Sequence, residues 1–280
     1  MKILVTGRHG QLAQSLAKCG GERVQLIGRP ELDLAIPGSA RTAIRGVVPD
    51  LIVNAAAFTA VDLAETEQAG AMRINAAAAG EIAALGIPLI HLSTDYVFDG
   101  AATTPYVETA PTAPINIYGR TKLAGEEAVR AASPDHLILR TSWLVSPFGR
   151  NFVRSMVELG QQRDTLSVVA DQHGNPTSAL DLAEAILAIA DTGLTPGQTY
   201  HLAGTGIASW FDLAVAVQDE LTRLGRRSAR IIPITTADWP TPARRPTYSA
   251  LDSGKVARDF GVTMPDWRAS LRPIVERLVA

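Results

Sequence analysis

Tyr118-Gly-Arg-Thr-Lys122 places a phenol and an ammonium four residues apart. On a helix, that spacing puts both side chains on one face. A free tyrosine titrates at about 10, far from neutral pH. A lysine one turn away favours the phenolate and lowers that value, which makes the tyrosine usable as a general acid or base. The same spacing also occurs in ordinary surface and edge packing, so the rest of the chain has to supply a site around it.

The N-terminus supplies one. Met1-Lys-Ile-Leu-Val-Thr6 is a short apolar run rich in strand formers, and it leads into Gly7-Arg8-His9-Gly10-Gln11-Leu12-Ala13 and the helix-like Gln14–Lys18. Strand, glycine turn and helix form the context of a dinucleotide fingerprint. Gly7 suits the tight turn. Gly10 lets the backbone approach a pyrophosphate where free N–H groups and the helix dipole favour anions, with Gln11 and Leu12 beside it. Ala13 takes the third glycine's place, where a small residue lets helix pack on strand. The plainer reading is an ordinary strand–loop–helix turn. An NAD-specific fold carries an acid after strand 2 for the ribose 2′-hydroxyl. Here that place holds Gly28-Arg29, which favours a 2′-phosphate and hence NADPH, with NADH as the alternative.

The chain has 280 residues, 46% hydrophobic and 19% charged, which describes a soluble globular protein of one large domain or two intimate ones. A net charge of −2 gives no reason to expect a nucleic-acid or membrane surface. No apolar run approaches a membrane span, the N-terminal run is too short for a signal peptide, and the cytoplasm is the default. The one cysteine, Cys19, excludes an intramolecular disulfide framework; a structural role at the end of the first helix is expected.

Strands and helices alternate. Val24–Gly28, Asp50–Asn54, Ile87–Leu92 and His136–Arg140 read as strands 2 to 5. Pro37–Val47, Val61–Leu85 and Asn116–Ala132 read as helices, the last carrying the Tyr/Lys pair. This alternation predicts an α/β, Rossmann-type, doubly wound parallel sheet. Gly7, Ala55–Thr59, Ser93–Tyr96 and Thr141–Trp143 fall past strand ends, where ligands bind in such sheets. After Trp143 the pattern loosens. Asp181–Asp191 and Trp210–Leu224 read as helices, Thr199–Leu202 as a strand, and Pro233–Pro246 as an irregular loop. The expected division is a dinucleotide-binding domain over 1–148, with about 178–204 added, and a smaller interleaved substrate lobe over 149–177 and 205–280.

A hydroxyl, a tyrosine and a lysine, here Thr94, Tyr118 and Lys122, make up the triad of extended short-chain dehydrogenases/reductases. The match goes further. Asn54-Ala-Ala-Ala-Phe-Thr-Ala-Val-Asp62, Ser93-Thr-Asp-Tyr-Val-Phe98, Tyr118–Glu126, Arg140-Thr-Ser-Trp143, Asp171–Thr177 and Arg245-Pro246 follow in order. This series resembles the dTDP-4-dehydrorhamnose reductase family over nearly the whole chain. The resemblance implies NAD(P)H reduction of the 4-keto group of dTDP-6-deoxy-L-lyxo-4-hexulose, giving dTDP-L-rhamnose for cell-surface polysaccharide. It implies that Tyr118 donates the proton, Lys122 holds the nicotinamide ribose, and Thr94 hydrogen-bonds the substrate near C4. Asp33, Leu34, Ala57, Phe58 and Thr59 match cofactor-lining positions. Asp95, Trp143 and Arg245 match positions that face the nucleotide-sugar. Each of these three has a plainer reading: a turn or cap residue, core packing, and an exposed arginine.

Three positions depart from that pattern. Ser15 and Leu180 stand where some family members carry glutamates that bind magnesium at a dimer interface. Neither replaces a carboxylate for a hard cation, so no magnesium-bridged dimer is expected, and a monomer or weak homodimer is. Leu63 replaces a common lysine. The five histidines, His9, His91, His136, His173 and His201, lack ligand-like spacing. His91 and His136 are expected to be packed, and His9 lies near phosphate or in an exposed loop. Two rival readings share the resemblance: a nucleotide-sugar epimerase or dehydratase, and a non-catalytic regulatory subunit like that of methionine adenosyltransferase.

Overall fold

The computed structural model describes residues 1–280. Five strands, β1 (Ile3–Thr6), β2 (Val24–Ile27), β3 (Leu51–Asn54), β4 (Leu89–Thr94) and β5 (His136–Thr141), join a sixth, Gln198–His201. Their order across the sheet is Gln198–His201, β5, β4, β3, β1, β2, with every pair parallel. The order reverses beside β1, which makes a crevice at the carboxyl ends of β1 and β3. Parallel strands covered on both faces read as continuous apolar runs, and β1, β3, β4 and β5 are buried throughout.

Alternate residues feed two cores. Ile3, Val5, Leu51, Val53, Ile90 and Leu92 face the helices Gln11–Gly20 and Ala179–Thr192 through Leu12, Leu16, Leu182, Ile186 and Ile189. Leu4, Ile52 and Leu89 face the other layer, against Ala40, Ile44, Ile82 and Val129. A third core joins the helices Phe152–Gly160, Trp210–Arg223 and Trp267–Val279 to the parallel strands Thr165–Val169 and Arg230–Ile234, through Val157, Leu213, Val217, Leu271 and Ile274. The helix Gly254–Phe260, although late in the chain, packs on the first core through Val256 and Phe260.

Several elements differ from their expected bounds. β4 runs two residues further, so Thr94 ends the strand instead of following it, paired in register with Thr141 of β5. The alanine-rich helix is not one helix. It breaks into Val61–Ala64, Gln68–Met72, a π-helical stretch Arg73–Ala77, and Ala78–Ala83. Alanine favours helix everywhere and does not mark where it stops. The π stretch carries Asn75, whose side chain accepts from the Phe58 N–H (2.8 Å) and donates to the Phe58 carbonyl and the Thr121 hydroxyl. Pro233 lies inside the strand Arg230–Ile234, at a sheet edge that tolerates a missing N–H. The rest of that loop includes a helical turn, Thr236–Asp238, closed reciprocally by Thr235 and Asp238. Asn151, Ser178, Ser209 and Asp266 cap four of the helices in the last 130 or so residues. Cys19 is half-buried at the end of the first helix, and burial pushes its thiol up.

Candidate active site

The glycine turn is built for close approach. Gly7 has φ +96°, and a Cβ there would stand 3.3 Å from the Ala56 Cα. Its N–H donates to the Ile27 carbonyl (2.8 Å), which ties the turn to β2. Gly10 caps the helix Gln11–Gly20 without a side chain, so the first-turn N–H groups have no intrahelical partner, and the space at Gly10 is open. The Gln11 side chain reaches across to the Leu144 carbonyl (3.3 Å) and accepts from the Ser146 hydroxyl (2.9 Å). Arg29 follows β2 directly and faces the same cleft, as does Arg8, which pairs with Glu31 at 3.0 Å.

The cleft has a volume of about 750 Å³. Gly7, Gly10, Gln11, Leu12, Arg29, Asp33, Leu34, Ala57, Thr59, Thr94, Asp95, Tyr118, Lys122 and Trp143 all line it. Two expected residues do not. Phe58 is turned into the Asn75 contact. Arg245 is held beside the cleft by Asp62, at 3.0 and 2.8 Å, with Thr241 and the Ala243 carbonyl as further partners. A guanidinium meets the nearest carboxylate with matching geometry, and Asp62, in the helical turn Val61–Ala64 beside the cleft, supplies it.

Asn116 caps the helix Ile117–Ala132 by accepting from the Gly119 N–H (2.8 Å) and donates to the Arg244 carbonyl (2.8 Å), so the helix start is tied to the same loop as Arg245. Tyr118 stands on the first turn, edge-on to Tyr96 at 5.8 Å. Lys122 is buried and donates to the Leu92 carbonyl at 2.6 Å. The expected electrostatics need correction here. Tyr118 is not lowered: burial pushes its phenol up to about 12, the Thr94 hydroxyl opposes, and Asp95 adds to the rise. Lys122 is the group that moves toward neutrality, brought down to about 8 by burial against the opposing charge of Glu126. Spacing gave the shared face but not the desolvation, which dominates for these buried groups.

Thr94 donates to an Asp95 carboxylate oxygen (2.9 Å) and accepts from the Tyr96 N–H (3.2 Å). Asp95 is 2% exposed, and burial raises it to about 7, opposed by Ser249 and Thr94. Behind the pair, Glu126 accepts two hydrogen bonds from Arg140 (2.8 and 2.7 Å), one from Ser93 (2.6 Å) and one from Arg130 (2.9 Å). The Arg140 guanidinium also lies over the Phe98 ring at 5.3 Å. Burial alone would raise Glu126, but these partners hold it below its ordinary value.

The remaining expectations can be placed as well. His91 and His136 are packed, at 1% and 4% exposure, while His9 is exposed at the cleft rim. Ser15 is wholly buried, with its hydroxyl spent on the Gln11 carbonyl, and the Leu180 carbonyl faces Cys19. Leu63 is exposed, and nothing in the structure explains it. Sequence reasoning missed Trp210, Phe152 and Arg8 in the cleft wall. Of these, Arg8 was legible inside the glycine turn, while Trp210 and Phe152 come from segments far along the chain.

A parallel sheet with a glycine turn at β1, a threonine ending β4 and a Tyr/Lys pair on the next helix defines a nucleotide-cofactor reductase of the extended short-chain type. The model of the RmlD substrate binding domain family matches residues 1–280. A dTDP-4-dehydrorhamnose reductase from Sinorhizobium fredii is 45% identical, over 100% of this chain and 98% of the relative. A probable dTDP-4,6-dihydroxy-2-methyloxan-3-one 4-ketoreductase from Streptomyces antibioticus is 41% identical, over 100% and 96%. The structure of dTDP-4-dehydrorhamnose reductase from Bacillus anthracis in complex with NADP superposes with a TM-score of 0.91 at 34% identity, over 98% of this chain and 99% of that one. The chain belongs to the dTDP-4-dehydrorhamnose reductase family.

Proposed function

We propose that this protein reduces the C4 ketone of dTDP-4-dehydro-L-rhamnose with NADPH, giving dTDP-L-rhamnose and NADP⁺ for cell-surface polysaccharide. One observation carries the reading: Thr94, Tyr118 and Lys122 share a cleft with the glycine turn, in a chain that belongs to this family.

The residues present fit a dinucleotide. The turn at Gly7, the uncapped helix start after Gly10 and two cleft arginines, Arg8 and Arg29, suit a pyrophosphate and a 2′-phosphate. Bound NADPH supplies the hydride. Asp33, Leu34, Ala57 and Thr59 lie along the adenosine and ribose path, and Phe58, whose main chain Asn75 holds, supports that path from behind. With a value of about 12, Tyr118 is protonated at neutral pH and gives its proton to the C4 oxygen as charge develops there. The Lys122 ammonium, with its neighbour Thr94, stabilises the phenolate left behind and holds the nicotinamide ribose. Asp95, Trp143 and Arg245 orient the sugar and its diphosphate. The dinucleotide-binding part spans 1–148 and about 178–204, and the sugar-binding part 149–177 and 205–280, less the helix Gly254–Phe260. No helix is long and apolar enough to cross a membrane. The protein works in the cytoplasm as a monomer or weak homodimer, without magnesium and without nucleic-acid partners.

The test is NADPH oxidation with dTDP-4-keto-6-deoxyglucose, with and without a 3,5-epimerase, and with Tyr118→Phe as control. The expected result is turnover only when the epimerase is present, lost in the variant. Turnover without the epimerase would redirect the reading to another 4-keto sugar, such as the Streptomyces relative's name describes. NAD that stays bound through purification would favour an epimerase or dehydratase. Absence of turnover together with a captured synthetase partner would favour a regulatory subunit.

A further inference from the structure

Trp143 has φ +43°, in the left-handed region that a bulky side chain occupies only when its surroundings hold it there. Two contacts hold it. The indole stacks on Trp210, with centroids 3.6 Å apart and planes within 3°. Gly174 lies against the same indole: a Cβ there would stand 2.7 Å from its Cε2 and 2.8 Å from its Nε1. Trp210 is itself fixed. It is the first residue of the helix Trp210–Arg223, whose start is closed by the reciprocal Ser209–Asp212 hydrogen bonds, and Phe152 packs on its ring at 4.8 Å.

This stack is more than core packing. Trp210 rests on the third core, but both tryptophans are only partly buried and both line the cleft together with Thr94 and Tyr118. A bulky aromatic pair kept in the wall of a cleft, one member in a strained backbone, has its conformation imposed for the sake of what the cleft holds. With Trp210 on one face and Gly174 against the other, the indole meets the cleft by its edge, and its tilt sets how a hexose beside it presents C4 to Tyr118. We propose that Trp210 is a positioning residue for the sugar: it stacks on Trp143 and fixes the indole edge beside which the hexulose lies. The reading rests on the sugar-binding role proposed above for this cleft.

The test uses Trp210→Leu, Trp210→Phe, Trp143→Ala and the Trp143→Ala/Trp210→Leu pair in the full chain. Three quantities are measured: kcat and KM for the 4-keto sugar, the Kd of NADPH, and the Kd of dTDP-L-rhamnose by calorimetry. Trp210→Leu is expected to lower kcat/KM for the sugar and weaken dTDP-L-rhamnose binding about tenfold, with NADPH binding within about twofold of wild type. Trp210→Phe, which keeps a stacking ring, recovers most of the loss. In the Trp143→Ala background Trp210→Leu adds little, because the two act as one unit. The inference is overturned if Trp210→Leu leaves sugar binding unchanged, if NADPH binding weakens by the same factor, or if the two substitutions are additive. A wild-type protein that binds dTDP-L-rhamnose but turns over no 4-keto sugar would sink the reductase reading, and the binding series would still decide the role of Trp210.

Discussion

Glu126→Gln removes one charge from the network under Lys122 while keeping the side chain's shape. Glu126 is fully buried and its partner Arg140 is 4% exposed, so the substitution strands a buried guanidinium. Breaking such a pair costs about 3–5 kcal/mol, whereas exposed pairs contribute about 0–1 kcal/mol. Unfolding entropy of about 2.1 cal/mol/K per residue over 280 residues converts that cost to a fall in Tm of about 5–8 °C. The assay is a thermal melt beside Asp164→Asn, which breaks an exposed pair with Arg227 and is expected to move Tm by less than about 2 °C. Glu126→Leu/Arg140→Met, which removes both charges, is expected to recover most of the loss. Glu126 also opposes the fall in the Lys122 value, so the alkaline limb of the pH–rate profile is expected to move to lower pH in Glu126→Gln. A Tm change no larger than that of Asp164→Asn would refute the assignment of this network as a buried electrostatic support.

Lys122 titrates at about 8 in the folded protein, below its ordinary 10.5. Between those values the unfolded chain holds a proton that the folded chain has released, so this group makes folding more favourable as pH rises. kcat/KM is therefore expected to fall above about pH 8 while the Lys122 contribution to Tm increases, and Lys122→Met should remove that contribution; paired rate and melting series check both. Asp62→Asn frees Arg245 for the sugar diphosphate, and because the pair is partly exposed the stability cost should stay below about 1 kcal/mol, while KM for the sugar falls several-fold and NADPH affinity holds. Arg29→Ala is expected to weaken NADPH about tenfold or more, the cost of a lost charged hydrogen bond, and to leave NADH unchanged by calorimetry. Glu31→Gln, which releases Arg8, should tighten NADPH.

The parallel sheet was legible because β1, β3, β4 and β5 are buried on both faces and their apolar runs carry no competing pattern. The pairing of the glycine turn with Tyr118 and Lys122 was legible because strand ends converge in this topology. What was not legible depended on contacts between distant segments. Arg245 reads as a ligand-facing arginine until Asp62, 183 positions earlier, captures it. Tyr118 and Lys122 read as a pair with a lowered phenol until burial raises the one and lowers the other. Trp210 carried no motif. Only folding brings it onto Trp143, and only the left-handed backbone at Trp143 marks that contact as more than packing.

The central claim is that this cleft delivers a hydride to C4 of a dTDP-linked 4-keto sugar while Tyr118 protonates the oxygen. The most direct measurement runs the reaction with NADPH deuterated at the transferring position and determines the isotope content and configuration of the isolated dTDP-sugar. The expected product is dTDP-L-rhamnose carrying one deuterium, at C4, formed by the wild type and not by Tyr118→Phe. Product without deuterium, deuterium at another carbon, or undiminished formation by Tyr118→Phe would contradict the account.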